Sequence, residues 1–142
     1  MTENVMPPFH LAFPVSDLGE TRHFYVKVIG CTIGREAEKW IDFNFFGHQI
    51  SAHLKPEAIS KSMQNAVDGD AVPVRHFGAV LPWNEWEALA KRLTLMGQAF
   101  RIEPKVRFQD LPGEQGTFFI DDPAGNALEF KTFKNMNSLF QR

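Results

Sequence analysis

Three residues of metal-binding type interrupt otherwise apolar segments of the chain. His10, His76 and Glu129 each lie in a short apolar run of the length that is typical of a β-strand. Two His and one carboxylate that come together and leave coordination positions open form the ligand set of a non-haem Fe(II) site. These residue types therefore indicate a metal-dependent enzyme.

The two His residues occupy matching places in an internal repeat. His10 precedes Gly30 by 20 positions, and His76 precedes Gly97 by 21 positions. In each interval a predicted strand is followed by a helical pattern that ends at the glycine, the residue that most readily adopts the left-handed conformation after a helix. This repeat predicts that His10 and His76 hold equivalent positions in two similar modules.

The elements that would position these residues follow from periodicity and from capping residues. The first helix is expected to begin after Ser16 and Asp17, and the second at Asn84, because all three are good N-cap residues. Strands are predicted at residues 9–15, 40–45, 49–54, 76–81, 105–109, 117–121 and 127–133.

The order of these elements predicts an α+β fold. Each half is predicted as a β-α-β-β-β module, at about 9–54 and 75–133, and both belong to a single domain of residues 1–142. The linker at 55–74 is expected to contain a short helix at about 57–66. Apolar strand faces would pack on the helices, and the polar faces of the two paired modules would form a half-open barrel around a metal site.

One further His falls on a polar strand face. In residues 49–54 apolar and polar side chains alternate, and His53 belongs to the polar set. The polar lining of the barrel is therefore expected to include His53 together with His10, His76 and Glu129.

Bulk composition narrows the classes of partner. The 142 residues are 44% hydrophobic, which is enough apolar material for a substantial core, and the formal charge of −2 leaves no basic surface for nucleic acid. No apolar run approaches membrane-spanning length, and no secretory signal is expected. Cys31 is the one cysteine, which excludes an internal disulfide, favours a cytoplasmic location and suggests a buried thiol.

Together these features resemble the vicinal oxygen chelate superfamily, which includes glyoxalase I, fosfomycin and bleomycin resistance proteins and extradiol ring-cleavage dioxygenases. The resemblance covers about residues 9–133, and its most specific part is the run 121–130, Asp-Asp-Pro-Ala-Gly-Asn-Ala-Leu-Glu-Phe. Residues 40–49 and 52–54 are similar to a small subgroup described as predicted extradiol dioxygenases. The other matching residues are His10, the segment 14–17, Phe24, Tyr25 and Gly30.

The resemblance implies a ligand set and a cofactor. His10, His76 and Glu129 would bind a divalent metal, with Fe(II) expected and Mn, Ni or Zn as alternatives. His53 lies near the end of the first module, as Glu129 lies near the end of the second. The resemblance therefore places His53 at the fourth corner of the site, opposite the three ligands, as a catalytic residue. Glyoxalase I typically has a Glu ligand at that corner, whereas ring-cleaving dioxygenases have a His there. Family members often form homodimers, so a homodimer is expected.

The expected function is that of a metal-dependent oxidoreductase, an extradiol-type dioxygenase that acts on a small catechol-like substrate. A glyoxalase-type lyase or isomerase and a non-catalytic small-molecule-binding protein remain alternatives. Ring-cleaving relatives usually carry a Tyr on the strand before the Glu strand, and residues 117–120 contain none. Arg107, Gln115 and Lys131 are candidate contacts for an anionic substrate.

Overall fold

The computed structural model describes residues 6–59, 69–141 and the backbone of 64–67. Contacts between residues group the chain into two compact units, within residues 1–60 and 61–142, and each unit contains one four-stranded sheet. The boundary between the units falls inside the linker predicted at 55–74. The grouping of both units into a single domain stays a prediction.

The first unit is a βαβββ module. Its sheet has the order β1-β4-β3-β2, in which β1 runs parallel to β4 and the other neighbours are antiparallel. The helical segment between β1 and β2 starts as an α-helix and continues as a π-helical stretch, Phe24–Ile29. The elements are β1 (His10–Val15), α1 (Leu18–His23), β2 (Thr32–Ala37), β3 (Trp40–Phe45) and β4 (His48–Leu54).

Local sequence explains where the first helical segment begins and ends. The side chain of Asp17 accepts a hydrogen bond from the Glu20 backbone N–H at 2.7 Å, which confirms the predicted N-cap. Gly30 has φ of 100°, the left-handed conformation expected after a helix. Between these ends Tyr25 is fully buried and packs its ring against Phe43, so the segment covers the apolar face of the sheet.

The second unit repeats the plan and adds a hairpin. Its sheet has the order β7-β10-β9-β8, with β7 parallel to β10. The hairpin β5–β6 precedes this module. The elements are β5 (Gln64–Val67), β6 (Asp70–Pro73), β7 (Phe77–Val80), α2 (Trp83–Leu95), β8 (Ile102–Arg107), β9 (Gln115–Asp121) and β10 (Ala127–Phe133), followed by a 3-10 turn at Met136–Phe140.

Helix α2 is fixed to its sheet by Trp86. The indole N–H of Trp86 donates to the Phe130 carbonyl oxygen at 2.9 Å, and the ring lies over Gly116, where a Cβ would meet the indole at 2.8 Å. The prediction that Asn84 caps this helix is wrong. The helix already begins at Trp83, and Pro82, which needs no N–H partner at a helix start, takes the cap position.

The predicted α+β class with two βαβββ modules is confirmed, but two details of the linker and the first module differ. The helix predicted at about 57–66 is a 3-10 turn, Pro56–Ala58, followed by strand β5, and residues 60–63 lie outside the described part. Strand β2 was not located in advance because its residues are exposed throughout and lack alternation. In the part of the chain that the structure describes, no helix has the length and apolar character needed to cross a bilayer.

Candidate metal centre

His76 and Glu129 come together in the second unit. His76 directly precedes β7, and Glu129 lies on β10, the strand paired with β7. The distance from His76 Nε2 to Glu129 Oε1 is 3.3 Å. Two ligands at right angles with metal bonds of about 2.1 Å lie about 3 Å apart. The two atoms are therefore spaced as two donors to one divalent ion.

In both side chains the atom that faces away from the other residue, His76 Nδ1 or Glu129 Oε2, is held by a hydrogen bond. His76 Nδ1 lies 2.7 Å from the Pro73 carbonyl oxygen, which can only accept, so Nδ1 carries a proton. The Thr117 hydroxyl donates to Glu129 Oε2 at 2.6 Å. Metal-binding His and carboxylate groups usually have such partners on their non-coordinating atoms. Both side chains are thus oriented with Nε2 and Oε1 facing each other.

The same contacts shift the proton affinities of the pair. The hydrogen bond to Glu129 raises the pKa of His76; burial opposes this shift, and the Pro73 carbonyl adds to it. Burial, the largest single influence on Glu129, raises its pKa, but the hydrogen bonds from His76 and Thr117 outweigh burial and the net pKa is lowered. In the absence of metal the pair is therefore stabilised as an imidazolium and a carboxylate.

The pair lies in a cavity of about 310 Å³ in the second unit. Thr117 and Phe119 had no assigned role in the sequence, although both share a strand face by period two. Val72 carried no signal because its strand falls in the predicted linker. The other residues that line the cavity are Phe108 and the three candidate substrate contacts, Arg107, Gln115 and Lys131.

His10 and His53 belong to the first unit. His10 is exposed at the start of β1, and its Nδ1 lies 2.9 Å from Gln49 Oε1 on the paired strand β4. His53 is exposed near the end of β4 and lines an open pocket with Lys39 and Lys55. Their roles as ligand and catalytic residue stay predictions.

The strand register changes the expected equivalence of His53 and Glu129. In the first sheet His10 pairs with Gln49, and in the second Phe77 pairs with Leu128, one residue after His76 and Ala127. If His10 and His76 are equivalent, the counterpart of Glu129 is Ser51 on β4. His53 then corresponds to Lys131, which lies two residues after Glu129 on the same face of β10. By this equivalence His53 shares a strand face with Ser51 but does not match Glu129.

Among the residues that the structure describes, no group of three or more His, Cys, Asp or Glu side chains could hold a metal ion. The structure brings together two of the predicted ligands, His76 and Glu129.

The chain was compared with protein-family models, with curated proteins and with solved structures. The family model of the Glyoxalase/Bleomycin resistance protein/Dioxygenase superfamily matches residues 8–130. Among curated proteins none matches the chain.

Solved structures resemble the chain along most of its length. A glyoxalase/bleomycin resistance protein/dioxygenase from Alicyclobacillus acidocaldarius is 32% identical, with 94% of this chain and 96% of that chain covered and a TM-score of 0.77. A fosfomycin resistance protein from Listeria monocytogenes is 14% identical, with coverage of 94% and 98% and a TM-score of 0.70. A lactoylglutathione lyase from Agrobacterium tumefaciens is 16% identical, with coverage of 99% and 100% and a TM-score of 0.64. At these lower identities the likeness concerns the fold alone.

Proposed function

The chain belongs to the glyoxalase/bleomycin resistance protein/dioxygenase superfamily, and within it we propose that the protein is a metal-dependent oxidoreductase, an extradiol-type dioxygenase that acts on a small catechol-like substrate. The observation that carries this proposal is the convergence of His76 Nε2 and Glu129 Oε1 at 3.3 Å in a cavity, with the outer atom of each group held by a hydrogen bond. This donor pair is two thirds of a two-His, one-carboxylate set.

We propose His10 as the third ligand. Its support is the matching position of His10 and His76 in the two modules and the contact of its Nδ1 with Gln49, which leaves Nε2 for a metal. Fe(II) suits this donor set, and Mn, Ni or Zn could also bind it. When bound, the ion supplies Lewis acidity and open coordination positions for two reactants.

The residue at the fourth corner favours three protein ligands over four. The register counterpart of Glu129 is Ser51, and the hydroxyl of Ser51 donates to Asp42 at 2.5 Å. A serine in this place gives no second carboxylate of the glyoxalase I type. An oxygenase needs the positions that a fourth ligand would fill. Ser51 therefore argues against a four-ligand lyase of the glyoxalase I type, and the His that ring-cleaving dioxygenases have at this corner is absent from it as well.

His53 is proposed to move protons for the substrate. It lies on the polar face of the strand that carries Gln49 and Ser51, and its side chain is exposed. Imidazole groups exchange protons near neutral pH, which suits a general acid or base. In the second unit, the buried ring of Phe119 and the side chain of Val72 form an apolar wall that would exclude water from the metal cavity.

Metal content of matched variants tests the ligand proposal. Wild-type protein reconstituted with Fe(II) without oxygen should bind one ion per chain. Glu129→Ala should lose most of this metal, because it removes a donor atom. Glu103→Ala, which removes an exposed carboxylate from β8, is the matched control and should keep the metal. Full metal retention in Glu129→Ala would exclude Glu129 as a ligand.

Oxygen consumption tests the reaction. The reconstituted protein should consume one dioxygen for each catechol converted and should give ring-opened products. A protein that binds Fe(II) but leaves a panel of catechols unchanged, and that isomerises a thiol–ketoaldehyde adduct instead, would be a lyase of the glyoxalase type.

A further inference from the structure

A chain of hydrogen bonds runs across the polar face of the first sheet and ends at His10. Ser51 donates to Asp42 Oδ1 at 2.5 Å, and Gln49 Nε2 donates to Asp42 Oδ2 at 3.2 Å. Gln49 Oε1 in turn lies 2.9 Å from His10 Nδ1. All four residues therefore form one connected network.

Strand pairing explains why these four residues meet. His10 on β1 pairs directly with Gln49 on β4, and Asp42 on β3 pairs directly with Ser51 on β4. Gln49 and Ser51 are two positions apart on one strand, so their side chains share a face. The contact from Gln49 to Asp42 is then the diagonal neighbour contact of an antiparallel pair.

The carboxylate of Asp42 determines which groups of this network donate hydrogen bonds and which accept them. An ionised Asp can only accept hydrogen bonds, so the amide NH₂ of Gln49 must face Asp42. The carbonyl oxygen of Gln49 must then face His10, and a carbonyl oxygen also only accepts. His10 Nδ1 must therefore be the donor. Neutral His10 is consequently the Nδ1–H tautomer, with its lone pair on Nε2.

The second unit reaches the same result by a different contact. His76 Nδ1 donates to the backbone carbonyl of Pro73 at 2.7 Å, which also leaves Nε2 to face Glu129. One module thus uses a main-chain acceptor and the other uses a side-chain relay, and both leave the same imidazole atom available.

We propose that Gln49 and Asp42 are positioning residues of the metal site, which fix the tautomer and ring orientation of His10 so that Nε2 is presented to the ion. The metal part of this inference rests on the proposed ligand role of His10, whereas the tautomer part concerns the metal-free protein. Partners of this kind typically change metal affinity by about 10–100-fold when they are removed.

The test compares Gln49→Met, which keeps the side-chain length and removes both polar groups, with Gln98→Met, the same change at a partly exposed loop position outside the network. The first readout is the pair of imidazole ¹⁵N shifts of His10 in metal-free protein, at a pH about two units above the usual imidazole pKa. Wild type and Gln98→Met should show the Nδ1–H form. Gln49→Met should shift His10 towards the Nε2–H form, a change that loss of packing alone would not produce.

The second readout is Zn²⁺ affinity, measured by competition with a chelator in the same proteins and in His10→Ala. Gln49→Met should weaken binding by about 10–100-fold, and His10→Ala should weaken it at least as much. A wild-type His10 in the Nε2–H form, or an unchanged tautomer in Gln49→Met, would overturn the inference. Zn²⁺ binding that is lost in His10→Ala but kept in Gln49→Met would also overturn it, whereas binding kept in His10→Ala would overturn the proposed ligand set instead.

Discussion

The contact between His76 and Glu129 has different consequences with and without a metal. In the proposed site the Nε2 lone pair of His76 would bind the metal ion, whereas in metal-free protein a proton at Nε2 would be held between the two residues. The lowered pKa of Glu129 and the raised pKa of His76 describe this metal-free pair. Its contribution to folding stability must therefore depend on pH.

The first prediction concerns that pH dependence. A raised folded pKa means that the His76 contribution is complete below its ordinary value of 6.5 and is lost as pH rises through the folded value. The lowered pKa of Glu129 means that its contribution is complete above its ordinary value of 4.5 and is lost as pH falls through the folded value. The pair should thus stabilise metal-free protein most between these two pH values.

Denaturant unfolding with a chelator present, at several pH values, measures this effect. His76→Gln should remove on the order of 1 kcal/mol near pH 5.5 and much less at alkaline pH. His23→Gln, on the exposed side of α1, is the matched control and should not change the profile in this way. An equal loss at acid and alkaline pH would show that the two residues do not form an ion pair.

The second prediction separates metal binding from turnover at His53. His53 lies two residues after Ser51 on β4, and Ser51 is the register counterpart of Glu129. We therefore expect His53 to transfer protons to or from the substrate and not to bind the metal. His53→Ala should keep its metal and lose at least about 100-fold in turnover, the usual scale of a general acid or base. His48→Ala is the matched control, since His48 lies at the start of the same strand, accepts the Phe9 N–H and has no proposed role in the reaction. Metal loss as complete as in Glu129→Ala would make His53 a ligand.

The third prediction concerns Cys31. The thiol is 6% exposed, and burial raises its pKa to about 12. Because the thiolate is the reactive form, native protein should resist alkylation at mildly alkaline pH and react fully once it is unfolded. Lys91→Cys, on the exposed face of α2, is the control and should be alkylated at once. Rapid alkylation of native wild type would show that Cys31 is accessible.

The sequence predicted which residues belong to the candidate site better than it predicted where each one lies in it. His76 and Glu129 were identifiable because polar groups interrupted apolar runs, and the structure brings their side chains together. The place of His53 was not identifiable, since a shift of two residues along a strand keeps the same face. Only the pairing of β1 with β4 and of β7 with β10 distinguishes His53 from Ser51.

At the scale of elements, periodicity located the strands that bury one face. Residues 40–45 were predicted as a strand with the observed bounds, because Ile41, Phe43 and Phe45 alternate with polar residues. Strand β2 has no buried residue and therefore no alternation. The hairpin β5–β6 falls within the predicted linker, although Val72 packs with Ile102 and Phe119 in a buried cluster.

The fourth prediction concerns the pairing of β7 with β10. Gly78 pairs with Glu129, and a Cβ at Gly78 would overlap the Glu129 carbonyl oxygen. Backbone atoms cannot rotate away as a side chain can, so Gly78→Ala should separate the two strands at this point. We expect a loss of about 1–3 kcal/mol in the free energy of unfolding, together with weaker metal binding, because His76 would move away from Glu129.

Gly34→Ala is the control for this change. Gly34 lies on β2, and a Cβ there would make only ordinary contact, at 3.6 Å, with Asp42. Thermal or denaturant unfolding should show little change in this variant. A Gly78→Ala protein with the stability and metal content of wild type would mean that the strands can adjust without loss.

At the scale of the whole molecule, the repeat was the most informative feature. It predicted two similar βαβββ modules, and both sheets have the same order of equivalent strands. A homodimer could form by pairing between open sheet edges, which present unpaired backbone groups. Two of the four edge strands, β2 and β8, resist such pairing, since both have register irregularities and charged residues and β8 also contains Pro104.

The last prediction follows from these protected edges. Irregular, charged edge strands resist pairing with another strand, and proline cannot donate a ladder hydrogen bond. We therefore expect a homodimer that does not extend either sheet through β2 or β8. Sedimentation should give twice the chain mass, and the outward amides of β2 and β8 should exchange rapidly with solvent in the dimer. Monomer at every concentration would contradict the first expectation, and amide protection that grows with dimer concentration would contradict the second.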